Sequence, residues 1–282
     1  MKEIGWLFLL ILFLAALWWW KGRTSGEGPF VTPPISLKSP FNQYQIKQAT
    51  SSDNESAQNG AAQEISQRIA KATLSARATG ATDPNKEYLE IKADRNNTES
   101  ITITGWKLKS GRTNADLAIG NGAKLAFSGQ TNVQRPIILA PGERAFIITG
   151  LSPIGTSFQL NACTGYFKQF QNFAPSLPSE CPHPKESAPI SLTNKCLDYI
   201  ESLPSCQMPL ESAPLGIGND CVEFISQNFS YSGCVQNHKS EKDFYKNTWM
   251  VYLGRNQELW PEKRETITLY NERGEKIAED SY

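Results

Sequence analysis

The chain predicts a mainly-β protein: a small β-sandwich interrupted by a disulfide-stapled helical insert and preceded by one N-terminal transmembrane helix. Three observations carry this. Beyond Arg68 the sequence breaks into short apolar and β-branched runs bounded by Gly, Pro, Asn and Asp, which is the grammar of strands and turns. All six cysteines fall between Cys163 and Cys234, a density and parity that fit a disulfide framework in an oxidising compartment. The only long apolar run is Ile4 to Trp20.

Taken in order, the segments are an anchor at 1–21, a linker at 22–67, the first part of the sandwich at 68–162, the cysteine-rich helical insert at 163–260, and a closing hairpin at 261–282. Ile4 to Trp20 holds 17 residues without a charge, near the lower limit for crossing a hydrocarbon core of about 30 Å. Trp18, Trp19 and Trp20 end it, with Lys21 and Arg23 following, where indoles and snorkelling cations settle at a membrane interface. The alternative is a cleaved signal peptide, but bulky indoles stand where a small-x-small site is expected, so an uncleaved signal anchor is the reading kept. Lys2 and the amino terminus compete with Lys21 and Arg23, so the outward orientation rests on the cysteines rather than on flanking charge. Residues 22–67 are rich in Ser, Gln, Asn, Pro, Gly and Ala, too poor in apolar surface to offset ordering entropy, and predict a disordered tether.

Strands are expected at Lys71 to Arg77, Glu87 to Ala93, Ser100 to Lys109, Lys124 to Phe127, Ala145 to Thr149 and Glu265 to Tyr270. Leu89 and Ile91 alternate with Tyr88, Glu90 and Lys92, and Ile101 and Ile103 alternate with threonines, so one face of each run is buried and the other wet. Pro141 and Gly142 stand where a type II turn wants them, joining Ile137–Leu139 to Ala145–Ile148 as a hairpin. A second hairpin turns through Asn271 to Gly274 and returns over Lys276 to Ala278. Within the insert, Thr193 and Asn194 open a helix that Pro204 stops, Asn219 and Asp220 open another, and Glu241 to Leu253 reads as helix or strand.

Several of these runs resemble a lamin tail domain of the bacterial type: Glu87-Tyr88-Leu89-Glu90-Ile91, Ile103-Thr104-Gly105-Trp106-Lys107-Leu108, Ile138-Leu139-Ala140-Pro141-Gly142-Glu143, and Ile267 through Ile277. Each is similar to a strand or turn of that family, in the family's order, over about half the chain in two pieces. The resemblance implies an immunoglobulin-like sandwich, in agreement with the strand count. The cysteine-bearing insert departs from the family pattern, and no family function reaches it. Leu89, Ile91, Trp106, Pro141 and Gly142 are the expected structural core and turn residues.

Chemistry is sparse. Lys plus Arg and Asp plus Glu number 28 each, leaving no net field to recruit nucleic acid. Only His183 and His238 are present, neither near a Gly-x-Ser-x-Gly turn. No Cys-x-x-Cys occurs, so zinc is not expected; nor is any other metal, cofactor or catalytic residue. Fifteen disulfide pairings are open. If the two helices run antiparallel, Cys206 meets Cys221 and Cys196 meets Cys234, leaving Cys163 with Cys181. The aromatics Tyr166, Phe167, Phe170, Trp249 and Trp260 are either a second small core or a candidate binding patch. The expected protein is a single-pass cell-membrane protein with its globular part outside the cytoplasm. It is non-enzymatic and binds a protein or cell-wall glycan by way of adhesion or scaffolding. The alternative is a hydrolase or hydrolase-associated module acting on an envelope polymer through paired carboxyl groups.

Overall fold

The computed structural model describes residues 71–113 and 115–282. The expected anchor (1–21) and linker (22–67) lie outside the described residues, among which no helix is long and apolar enough to cross a membrane. The fold is mainly β, with few helices and three disulfides.

Eleven strands are present among the described residues: β1 (Ala72–Ala76), β2 (Tyr88–Ala93), β3 (Ile101–Thr102), β4 (Lys107–Ser110), β5 (Asp116–Ala118), β6 (Ile138–Leu139), β7 (Arg144–Ile148), β8 (Phe158–Asn161), β9 (Tyr245–Tyr252), β10 (Thr266–Tyr270) and β11 (Lys276–Ser281). A five-stranded sheet runs β1-β2-β7-β9-β8, a four-stranded sheet β11-β10-β4-β5, and β3 pairs with β6. All neighbours are antiparallel except β7 and β9.

The two large sheets share one core. Leu89 and Ile91 of β2, Ile147 of β7 and Val251 of β9 cluster with Leu108, Leu117, Ile267 and Leu269 of the other sheet. The alternation read in Tyr88 to Lys92 explains this face, since a period of two sends every second side chain inward. Trp106 is buried in the same cluster, delivered by a tight turn in which its N–H donates to the Ile103 carbonyl at 3.1 Å and Gly105 takes a φ of +86°. At the sandwich edge the Ala76 N–H donates to Asp280 Oδ2 at 2.6 Å, joining β1 to β11.

The five-stranded sheet is covered on its other face too. Ile148, Phe158, Leu160 and Met250 form a second core with Ala123, Ala126, Phe167 and Leu177. Neighbouring residues along one strand therefore bury in opposite directions: Trp249 and Val251 face the sandwich core while Met250 faces the second one.

Four expectations are corrected here. Pro141 and Gly142 do form the turn, with Gly142 at φ +84° and the Glu143 N–H donating to the Ala140 carbonyl at 2.9 Å. However, β6 pairs with β3 while β7 lies in the five-stranded sheet, so the turn is a corner between sheets, not a hairpin. Lys124 to Phe127 is not a strand. The Asn132 carboxamide takes both the N–H and the carbonyl of Phe127, at 2.8 and 3.0 Å, and so stands in for a ladder partner. Glu241 to Leu253 is not a helix, because Tyr245–Tyr252 enters the centre of the five-stranded sheet. The insert consequently ends at Phe244 rather than at residue 260.

The disulfide connectivity is also corrected. All six cysteines pair, as Cys163–Cys234, Cys181–Cys206 and Cys196–Cys221. Cys196 is the third residue of α1 (Asn194–Ser202) and Cys221 the third of α2 (Asn219–Asn228), so these helices are tied start to start. A long connection brings the chain back between them, carrying Cys206 away from α2 and onto Cys181.

Candidate binding site on the disulfide-stapled insert

The insert is an enlarged hairpin loop. β8 and β9 are antiparallel neighbours, with Asn161 opposite Tyr245, and the Ala162 N–H donates to the Phe244 carbonyl at 2.8 Å. Cys163–Cys234 then locks the neck, with α carbons 5.8 Å apart. Beyond it come a 3₁₀ turn at Thr164–Gln169, the helices α1 and α2, and a third helix, α3 (Tyr231–His238). Thr193 Oγ1 caps α1 by accepting from the Cys196 N–H at 3.3 Å, as its residue type predicts. Ser230 Oγ caps α3 by accepting from the Gly233 N–H at 3.0 Å. Helices α1 and α2 enclose a small core of their own, built on Ile200, Ile217, Phe224 and Phe229 around Cys196–Cys221.

Two grooves open on this platform, and Met208 lines both. The first, of about 240 Å³, lies among Phe127, Tyr166, Phe167, Phe170 and Tyr231, with the glutamines 130, 169 and 171 and three serines around them. Its lining holds no Asp, Glu, Lys, Arg or His. The second, of about 320 Å³, runs between Tyr199, Val222 and Ile225 on the helices and Pro209 to Ala213 on the connection, with Glu211 its one ionised group.

Each wall is fixed by local chemistry. The Asn161 carboxamide ties the neck together: Oδ1 accepts from the Cys163 N–H at 2.9 Å and Nδ2 donates to the Tyr231 hydroxyl at 3.0 Å. The Tyr231 ring packs on Phe167 with centroids 4.3 Å apart and meets Phe127 edge-on at 5.4 Å. The Gln169 carboxamide takes both backbone groups of Met208, donating to its carbonyl and accepting from its N–H, each at 2.8 Å. Gln171 donates to Ser128 at 3.2 Å. Gly165 lies against Cys181–Cys206, and a Cβ there would meet the Cys206 sulfur and lie 2.9 Å from that of Cys181, so only glycine lets the 3₁₀ turn sit on this bond.

Tyr166 lines the first groove while only 4 % exposed. Its hydroxyl has no hydrogen-bond partner, and burial pushes it up to about 12. Phe170 is the opposite case, with 60 % of its surface in solvent.

Of the five aromatics expected to form a core or a patch, the structure gathers Tyr166, Phe167 and Phe170 at the first groove and places Trp249 and Trp260 inside the sandwich core. Phe170 alone among them is exposed, so as a five-residue surface the patch is corrected. Its surface is completed instead by Met208, 39 % exposed, and Val222, 47 % exposed. Their signal was present in the sequence: apolar residues at Met208, Leu210 and Leu215, spaced by Pro204, Pro209 and Pro214, fit neither a helical nor a strand period and so cannot all face a core.

The histidines have structural work. His183 Nδ1 accepts from the Lys185 N–H at 3.1 Å, which leaves Nε2 to donate to the Leu203 carbonyl at 2.9 Å. His238 Nδ1 lies 2.6 Å from Glu241. Among the described residues, no cluster of three or more His, Cys, Asp or Glu is arranged to hold a metal ion.

The carboxylates at the start of β2 are separately engaged. Glu87 is buried and accepts from the Leu259 and Trp260 N–H groups at 2.9 and 3.0 Å, while Glu90 meets Arg77 at 2.7 Å and Arg144 at 3.5 Å.

Comparison of the chain with protein-family models finds no match, and comparison with curated proteins finds none either.

Proposed function

We propose that this chain is a membrane-anchored, extracytoplasmic, non-enzymatic interaction protein whose head presents the insert to a protein or cell-wall glycan, in adhesion or scaffolding. In this reading Ile4–Trp20 is the anchor, residues 22–67 are the spacer, and the head is an immunoglobulin-like sandwich of the lamin-tail type. The observation that carries it is the pairing of all six cysteines into three bonds, which a reducing cytosol does not sustain. The lamin-tail assignment is supported by the positions of its motifs. Glu87 to Ile91 spans the start of β2, Ile103 to Leu108 leads into β4, Pro141 and Gly142 make the inter-sheet corner, and Ile267 to Ile277 builds the β10–β11 hairpin. A binding role for the insert is supported by the two grooves, because the sandwich surfaces are occupied in holding the fold together while the insert leaves Phe170, Met208 and Val222 in solvent.

The hydrolase alternative asks for two carboxyl groups about 5–9 Å apart across a cleft. Glu211 is the single carboxylate among the described residues lining the two grooves, and no observation favours that reading over binding.

The test is topology and sulfur state together. Protoplasts expressing the full chain are treated with a membrane-impermeant protease, and the released head is mapped without reduction. Release of a head fragment carrying the three bonds is expected. Six alkylatable thiols, or a head protected until the membrane is opened, overturns the proposal.

A further inference from the structure

The geometry points to the two grooves as a paired receptor for an extended, uncharged or cationic peptide bearing two bulky apolar side chains, one seated on each side of Met208. This rests on the reading of the insert as a binding head and names its ligand class.

Size comes first. Volumes of about 240 and 320 Å³ sit at or below the lower end of the range for cofactor- or drug-sized ligands, so each groove suits one large side chain. The two adjoin at a single flexible, polarisable methionine, a residue suited to accepting varied apolar partners. Charge sets the next limit. The first groove has no ionised group and the second has only Glu211, so an acidic ligand meets repulsion with no cation to offset it, whereas a Lys or Arg beside the second anchor finds a partner.

Hydrogen bonding then separates peptide from glycan. A sugar needs many free donors and acceptors, yet Gln169 is spent on both backbone groups of Met208 and Gln171 on Ser128. The same Gln169 bonds leave the Met208 backbone nothing to offer a strand adding alongside it. Recognition is therefore by side chain, as in two-anchor peptide grooves. One polar request remains on the first groove wall: the Tyr166 hydroxyl, without a partner in the folded chain. A peptide carbonyl beside the first anchor supplies the acceptor it lacks.

The experiment titrates labelled synthetic peptides against the full chain in lipid nanodiscs by fluorescence anisotropy. The probes carry paired Phe or Leu anchors over Gly/Ser spacers of graded length, single anchors, and Lys- or Asp-flanked versions, with a labelled chitooligosaccharide alongside. Paired-anchor peptides are expected to bind at least about tenfold more tightly than single-anchor ones, Lys-flanked above Asp-flanked. Met208→Asp and Val222→Asp, both at exposed positions, are each expected to weaken binding about tenfold or more with the three disulfides and the melting temperature retained. Tyr166→Phe is expected to weaken it about three- to tenfold. Equal affinity for single and paired anchors, or unchanged affinity in both Asp variants, overturns the inference. If the chitooligosaccharide binds, Met208→Asp abolishes that binding and no peptide binds, the peptide class falls while the binding-head reading stands. If neither probe binds, both fall.

Discussion

Trp106 fills the middle of the sandwich because Gly105 allows the backbone to turn sharply just before it. Truncation to alanine leaves a cavity that flanking strands cannot close, so Trp106→Ala should cost about 3–5 kcal/mol in denaturant unfolding. Tyr166 runs the other way: its hydroxyl is buried without a partner, and removing such a group relieves a desolvation cost. Tyr166→Phe should raise stability by about 1 kcal/mol, the opposite of its expected effect on ligand affinity. Glu87 carries a pH dependence. Burial raises its carboxyl above the ordinary 4.5, against the lowering effect of its hydrogen bonds. The folded chain thus holds the proton over a range where the unfolded chain has released it. The Glu87 contribution is therefore greatest below the ordinary value and declines as pH rises through the folded one. Melting temperatures taken from acid to neutral pH should show this decline, and Glu87→Gln should flatten it.

Among the elements, the disulfides divide the labour. Cys163–Cys234 closes a sequence separation of 71, and each of the other two closes 25. By the chain-entropy relation the neck bond restricts the unfolded chain by about 4.4 kcal/mol and each of the others by about 3.5 kcal/mol. Paired Cys→Ser replacement should therefore destabilise most at the neck, measured by chemical denaturation of the three double variants. Much at this scale was legible. β2 shows its alternation, Pro141 and Gly142 their turn, Asn271 to Gly274 their hairpin, and Thr193 its cap. What was not legible had lost its signal for physical reasons. All four residues of β8 are buried, and β9 buries Trp249, Met250 and Val251 in succession, because the five-stranded sheet is covered on both faces. A strand packed on two sides has no period of two to read. Cysteine pairing was equally hidden, since it depends on α1 and α2 being bound at their starts and not at a shared turn.

At the scale of the molecule, sandwich and insert are mutually dependent. Phe167 and Leu177 from the insert cover Ile148, Phe158 and Met250 on the outer face of the five-stranded sheet. Replacing the excursion between Asn161 and Tyr245 by a short turn uncovers that face, and the shortened chain should self-associate through it. Light scattering coupled to gel filtration checks this; a monodisperse monomer would count against the two-sided sheet. The site itself was half visible in advance. Tyr166, Phe167 and Phe170 gather as the clustering of aromatics anticipated, whereas Trp249 and Trp260 belong to the sandwich. Met208 becomes the centre only because Cys181–Cys206 and Gln169 fold a proline-punctuated connection back over the 3₁₀ turn.

The placement of the insert between two adjacent strands has a mechanical consequence. Its entry and exit are hydrogen-bonded neighbours clamped by a covalent bridge just beyond them, so tension along the backbone can short-circuit through Cys163–Cys234 and leave the loop slack. A tethered head tugged by flow or by a bound neighbour would shear strands before it stretched its grooves, keeping grip and load on separate paths.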